Sequence, residues 1–281
     1  MPHFGNGCKI CIFAILTLRY MVDFLQIGSI KNLLLLVAVF AFCSCSSGKR
    51  TEVLPDGELP AIWKERPTVL VDSTVSLKIF EPKFNDIDLV CGTMSAEDDS
   101  TVVFCAEAAF TGSLQDAFSH SNIAGDHVSA GQRYKGYSAP VNTGAFVYAQ
   151  GKWKFARQPY SDLLDSAARR HGMGFTQILL VHHGEGVPIS LKSLKDHVKN
   201  IYRALCQHDG KLYVMESRKS ITLEQFKAAL LRLGVEEALY MDMGKGWNHS
   251  WYRDSKGEVH EIHPYAHPYC TNWIVFYQRP R

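Results

Sequence analysis

Short runs of β-branched and aromatic residues, broken by compact turn signals, recur from residue 75 to the C-terminus and constrain this chain most. Residues 75–80, 87–91 and 101–106 read as strands. Residues 145–148 and 152–155 flank Ala149-Gln150-Gly151, and residues 204–207 and 211–215 surround Asp209-Gly210, so each pair predicts a hairpin. Residues 175–181 are almost continuously apolar, as in a strand covered on both faces. Residues 238–242, 247–253 and 273–278 complete the set of strands. Helical spacing is confined to 161–171, stopped by Gly172, and to a segment opened by the capping box Thr222-Leu223-Glu224-Gln225. Phe226, Ala229, Leu230 and Leu233 line the apolar side of that second helix, and Gly234 ends it. Residues 111–143 are polar with little periodicity and read as one long loop. Strands at both ends with a few helices between predict a single α+β domain with a mixed β-sheet and a few packed helices.

The N-terminal part has another character. Residues 32–45 read NLLLLVAVFAFCSC, with Lys31 before them and a polar run after. The stretch is too short for a comfortable membrane span and fits a secretory signal. Ser44 places a small residue directly before Cys45, which resembles a lipobox, whereas bulky Phe42 precedes Cys43. An ordinary cleaved signal with an incidental cysteine is the alternative. Residues 1–44 are therefore expected to be a leader, with 1–20 a start-site artefact ahead of Met21. Residues 45–68, rich in Pro, Gly and charge, are expected to be a lipidated cysteine and tether, and 69–281 the folded domain. The expected location is the bacterial cell envelope, with a lipid anchor to the membrane.

Charge narrows the partners. Loss of the leader removes Lys9, Arg19, Lys31 and Asp23, so 30 basic and 28 acidic residues become 27 of each. With no basic surplus, nucleic acid is not an expected partner. Cys91, Cys105, Cys206 and Cys270 remain beyond Cys45, and either disulfides or buried thiols fit them.

Read on its own, Asp242 ends an apolar strand at a Gly-containing turn. It suits a proton-transfer group or a metal ligand, and equally a residue capping its own turn. Glu107 follows the apolar run Val102–Ala106, where a carboxylate needs a partner, and Arg203 is the expected one. That pair is either structural or part of a site. His260, His263, His267 and Cys270 are spaced to suggest a divalent metal, the one cofactor these residues admit, although Pro264 and Pro268 interrupt them. A loop lining a sugar platform is the alternative. Trp247 and Tyr252 are candidates to stack on a sugar ring. His182 and His183 end a strand, and His120 and His127 fall in the long loop with no assignable role.

From Arg203 to Arg253 these features line up in one order: an Arg opening a hairpin, the turn Asp209-Gly210-Lys211, a capped helix ending Leu233-Gly234, then Ala238-Leu239-Tyr240-Met241-Asp242-Met243-Gly244. This order resembles the phosphodiester glycosidase family, with Arg203 and Asp242 on that family's Arg and Asp. Glu107-Ala108-Ala109-Phe110 sits where the family has Asn-Gly-Gly-Phe, and Thr271-Asn272-Trp273 where it has Ala-Asn-Ala. The resemblance spans about residues 85–281. It implies a hydrolase cleaving a glycosidic bond, a sugar phosphodiester among the candidates, with a carbohydrate or glycan-phosphate substrate. Asp242 and Glu107 would be the catalytic carboxylates, and Arg203, Gly244, Asn272, Trp247 and Asn248 would bind substrate. Met243 and Lys245 stand where the family has glycines, and such side chains are expected to crowd a ligand at the backbone. A non-catalytic glycan- or cell-wall-binding lipoprotein on the same fold is the competing expectation.

Acylation at Cys45 has a direct check. Cys45→Ala should move the protein from the membrane fraction to the soluble one. Unchanged partitioning, with no lipid mass on the mature N-terminus, would refute the anchor.

Overall fold

The computed structural model describes residues 69–74, 76–95, 97–112, 118–189, 198–243, 249–263 and 271–280. The leader, Cys45, the tether, Gly244, Trp247, Asn248, His267 and Cys270 lie outside the described residues. Residues 51–281 form one compact unit.

Among the described residues, seventeen strands run in three sheets. The largest contains β1 (Val69–Ser73), β2 (Leu77–Pro82), β10 (Leu179–His182), β11 (Glu185–Gly186), β12 (Arg203–His208), β13 (Lys211–Ser217) and β14 (Glu237–Met241), in the order β1-β2-β13-β12-β14-β10-β11. The second contains β3 (Asp86–Cys91), β4 (Val102–Glu107), β15 (Ser250–Arg253), β16 (Val259–His263) and β17 (Asn272–Tyr277), in the order β16-β15-β4-β17-β3. The third contains β5 (His127–Ser129), β6 (Gln132–Tyr134), β7 (Gly144–Ala149), β8 (Lys152–Arg157) and β9 (Met173–Gln177), in the order β6-β5-β9-β7-β8. Two α-helices accompany them among the described residues, α1 (Ser161–Arg169) and α2 (Leu223–Arg232).

This corrects the expected mixed α+β sheet. All pairs of named strands are antiparallel, and the unit is far richer in strand than in helix. A parallel pair needs a long crossover connection, whereas six of the fourteen strand pairs here join consecutive strands through short turns. The apolar run at 175–181 is two strands, β9 and β10, which break at Ile178 and enter different sheets. The expected loop at 111–143 contains β5 and β6, and β16 forms where only a loop was expected.

Alternation along the strands builds two main cores. Leu205, Leu239 and Met241 join Phe80, Phe104, Phe146, Phe175 and Phe276 in a cluster drawn from all three sheets. Their neighbours Ala204, Cys206, Ala238 and Tyr240 face the other way, onto Phe226, Ala229 and Leu230 of α2. That is the apolar side expected for this helix. Its cap is also as expected: Thr222 Oγ1 accepts from Gln225 N at 3.2 Å, and Gln225 Oε1 accepts from Thr222 N at 3.0 Å. Gly234 takes φ +79°, a left-handed position that favours glycine just past a helix end.

Since α2 covers one face of the largest sheet, its cap bears on the whole unit. Thr222→Ala should lower unfolding stability by about 1 kcal/mol in denaturant melts, and Thr222→Ser should restore most of it.

Candidate active site

The site begins where β4 ends. Beyond Glu107 the chain runs through Ala108 and Ala109, both fully buried. Buried backbone groups must be paired, and here they are paired to other strands. Ala108 N donates to Asn272 O at 3.2 Å, and Ala108 O accepts from Asp242 N at 2.9 Å. Ala109 N donates to Asn272 Oδ1 at 2.7 Å, and Asn272 Nδ2 donates to Ala109 O at 2.9 Å. One dipeptide thereby ties β17 of the second sheet to the residue that follows β14 of the first.

Glu107 is fully buried, and its Oε1 accepts from Thr111 Oγ1 at 3.1 Å. Thr111 Oγ1 lies 2.8 Å from Thr271 Oγ1. Asp242 is 5% exposed, just past the end of β14. Its charge is felt by two phenols: burial, then Asp242, raises the pKa of both Tyr137 and Tyr240. Tyr137 is the exposed member of the two, at 37%. Tyr137 comes from the segment read as a featureless loop, and nothing in its local sequence singled it out.

Arg203 is fully buried, and its partner is Glu216, not Glu107. Its Nε and Nη2 donate to Glu216 Oε2 at 3.1 and 2.8 Å, and Nη2 also donates to Ser250 Oγ at 2.7 Å. The cause is register. Arg203 and Glu216 face each other across β12 and β13, the sixth pair out from the turn at Asp209-Gly210. Glu107 instead lies opposite Trp273, whose ring packs with Val102 and Cys105, away from the core that Met241 and Ala106 enter. The hairpin expected around Asp209-Gly210 contained this information: counting residues back from the turn reaches Glu216.

Glu216 also receives His263, whose Nε2 lies 3.0 Å from both carboxylate oxygens. Burial pushes the Glu216 carboxyl up, but Arg203 and His263 outweigh it and leave the pKa below its ordinary value. An anionic acceptor makes Nε2 of His263 the donor, so Nδ1 is its remaining acceptor. His263 is the outer end of this chain, with 24% of its side chain exposed.

Of the residues spaced to suggest a metal, His260 and His263 fall among the described residues, and they turn to different partners. His260 Nε2 meets Asp254 Oδ2 at 2.9 Å and its ring stacks on Tyr252, whereas His263 turns to Glu216. Tyr252 packs between His260 and Phe80, which engages the ring offered for sugar stacking. Met243, which stands where the resembling family has a glycine, is 2% exposed and packs in the cluster beneath α2. Its side chain is absorbed by the core, contrary to the expected crowding of the site. Cys91, Cys105 and Cys206 are free thiols.

Glu107, Arg203, Asp242 and Asn272 thus converge at one junction of two sheets, but their side chains divide. Asn272 is engaged with Ala109, and Arg203 with Glu216 and Ser250. Glu107 belongs with Thr111, and Asp242 lies on the side of Tyr137.

No family model matches the chain, and no curated protein matches it. Among solved structures, the catalytic domain of zebrafish N-acetylglucosamine-1-phosphodiester alpha-N-acetylglucosaminidase, auto-inhibited by its pro-peptide, is similar at a TM-score of 0.52 and 13% identity. The match covers 81% of this chain and 87% of that one. A hypothetical protein from Synechocystis matches at a TM-score of 0.44 and 12% identity, over 75% of this chain and 61% of that one. The first likeness is one of fold: this chain is distantly related in fold to a phosphodiester glycosidase catalytic domain.

Proposed function

We propose that this chain is an exported, lipid-anchored hydrolase of the cell envelope that cleaves a glycosidic bond, with sugar phosphodiesters as its substrate class. The observation that carries this reading is the junction on a glycosidase-like fold. Strand ends from two sheets bring Asp242 within one backbone hydrogen bond of the segment that follows Glu107. Asp242 is the proton-transfer group, and Glu107 is the second carboxylate of the pair that glycosidic cleavage employs. Arg203 acts from behind the site. It holds Glu216 anionic, and Glu216 orients His263.

The second reading, a glycan-binding protein without turnover, draws on the engagement of Arg203 and Asn272 within the protein itself. The Asn272 amide and the Nε and Nη2 of Arg203 frame the junction instead of standing free for a ligand.

The detergent-solubilised full chain, assayed against sugar phosphodiesters, separates the two. Asp242→Asn preserves shape and removes proton transfer, so turnover should fall on the order of 10²- to 10⁴-fold with ligand binding kept. If Asp242 only caps its turn, the same change should cost roughly 1 kcal/mol of stability and leave turnover nearly intact. A wild type that binds glycans but hydrolyses no glycosidic substrate would establish the binding protein instead.

The frame behind the site has its own signature. Glu216→Gln leaves the Arg203 charge buried without its counter-ion and should destabilise the fold by roughly 3–5 kcal/mol at neutral pH. The Glu216 pKa is lowered by folding, so its contribution is complete above the ordinary glutamate value of about 4.3. It is lost as pH falls through the depressed folded value. Urea melts of the wild type and Glu216→Gln should therefore differ most near neutrality and converge in acid.

A further inference from the structure

A second cluster of reactive side chains lies one strand away from the junction. Cys91 ends β3, His120 sits in a single 3-10 turn (His120–Asn122), and His127 opens β5. The Cys91 sulfur and one ring nitrogen from each histidine all lie within 4.8 Å of one another. His120 Nδ1 and His127 Nε2 are 2.9 Å apart. The other nitrogen of His127, Nδ1, lies 3.2 Å from Gly125 O. A carbonyl can only accept, so Nδ1 carries the proton and Nε2 presents its lone pair to the cluster. The bond between the two imidazoles is then one proton shared by two converging lone pairs, which is the place a cation would take.

We propose that Cys91, His120 and His127 form a transition-metal site of the zinc class. A thiolate with two imidazoles is a borderline-soft donor set that suits zinc, and harder cations prefer oxygen. Tetrahedral zinc bonds of about 2.0–2.3 Å require ligand atoms about 3.3–3.6 Å apart. The two nitrogens need to separate by only a few tenths of an ångström, and all three donors are within reach. The surroundings supply what ligands of this kind require. The carbonyl of Gly125 fixes the His127 tautomer, as second partners of metal-bound histidines do. The His120 ring is stacked on Tyr134 and edged by Phe118, so both imidazoles are held in place. His127 is fully buried.

Three protein ligands leave one position open. The site also has a structural consequence. Asn122 O accepts from Gly112 N, and Ala124 N donates to Phe110 O, so the segment carrying His120 buttresses the chain just beyond Glu107. A metal here would clamp that segment to β3, where Cys91 lies opposite Asn272. The proposal does not depend on the hydrolase reading.

Cobalt is the probe, since it reports its ligands optically. The detergent-solubilised full chain, reduced and freed of metal, is titrated with Co²⁺, and bound zinc is measured by elemental analysis of untreated protein. Stoichiometric binding is expected, with a thiolate-to-cobalt charge-transfer band and the intense d–d absorption of a tetrahedral site. Cys91→Ser should abolish the charge-transfer band, and His120→Ala should weaken binding about tenfold or more. His120 is only partly buried, and near-ultraviolet circular dichroism checks that this variant is folded. His183→Ala, in the separate group of His182, His183 and Glu237, should leave the spectrum unchanged. No stoichiometric cobalt, cobalt without a thiolate band, or a band that survives Cys91→Ser would each overturn the site.

Discussion

The carboxamide of Asn272 closes both ends of the Ala109 peptide unit, and the arrangement of the sheets around the site follows from that pairing. Ala108 and Ala109 cross the interior with no water to satisfy their backbone. A buried N–H or C=O left unpaired costs about 1–3 kcal/mol. An amide side chain answers both at once because it carries a donor and an acceptor on one planar group. A carboxylate at 272 would have no donor for Ala109 O, and an aliphatic residue would have neither group. With Ala109 held by β17, Ala108 O is positioned to receive Asp242 N, and the end of β14 is fixed to the end of β4. The place where Asp242 leaves the sheet is therefore set by an asparagine thirty positions further along the chain.

Arg203 supplies the complementary bond between the same two sheets. It is fully buried, and an unpaired guanidinium would be very costly there. Register puts Glu216 opposite it on the neighbouring strand, and Ser250 reaches it from the second sheet. Ser250 in turn lies opposite Ala106 of β4 and His263 of β16. The charge network is thus dictated by strand pairing, and it extends outward only at His263. This explains why the arginine that the motif pointed to faces inward. Its strand position commits its side chain to the core side, where a paired carboxylate is the stable answer.

Local chemistry made much of this fold legible. The capping box at Thr222, the hairpins around residues 150 and 209, and the strands at 102–107 and 272–277 all follow from turn residues and short-range periodicity. What escaped was what depends on partners distant in the chain. Periodicity cannot say that β9 and β10 part company at Ile178, because both halves are buried and apolar alike. It cannot recognise β16, where His260, Glu261 and His263 are carried by pairing with β15 rather than by strand-forming residues. The segment 111–143 looked featureless because its order comes from backbone bonds to other segments, such as Tyr137 N to Ile123 O. Tyr137, His120 and His127 were lost within it for that reason. Glu216 is a different case, because its pairing with Arg203 follows from counting outward from a turn that was recognised.

Met243 shows how far a changed motif bears on function. Judged by residue type, a methionine in place of a glycine crowds a ligand that must approach the backbone. In the fold it occupies the face of Tyr240 and packs into the cluster beneath α2. Alternation alone would send Met243 to the side of Met241, which enters the core shared by the three sheets; β14 ends at Met241, and beyond it Met243 packs with Tyr240 on the opposite side. A side chain taken into the core is buried there and does not stand beside the backbone where a ligand would approach. The loss of a glycine is therefore no argument by itself against turnover. Turnover depends on the carboxylates: on whether Asp242, whose backbone N–H is held by Ala108 O, and Glu107, which accepts from Thr111, act on one bond from two buried settings. Different charges and hydrogen bonds around two like groups set their proton affinities apart, and division of labour between a proton donor and its partner requires that difference.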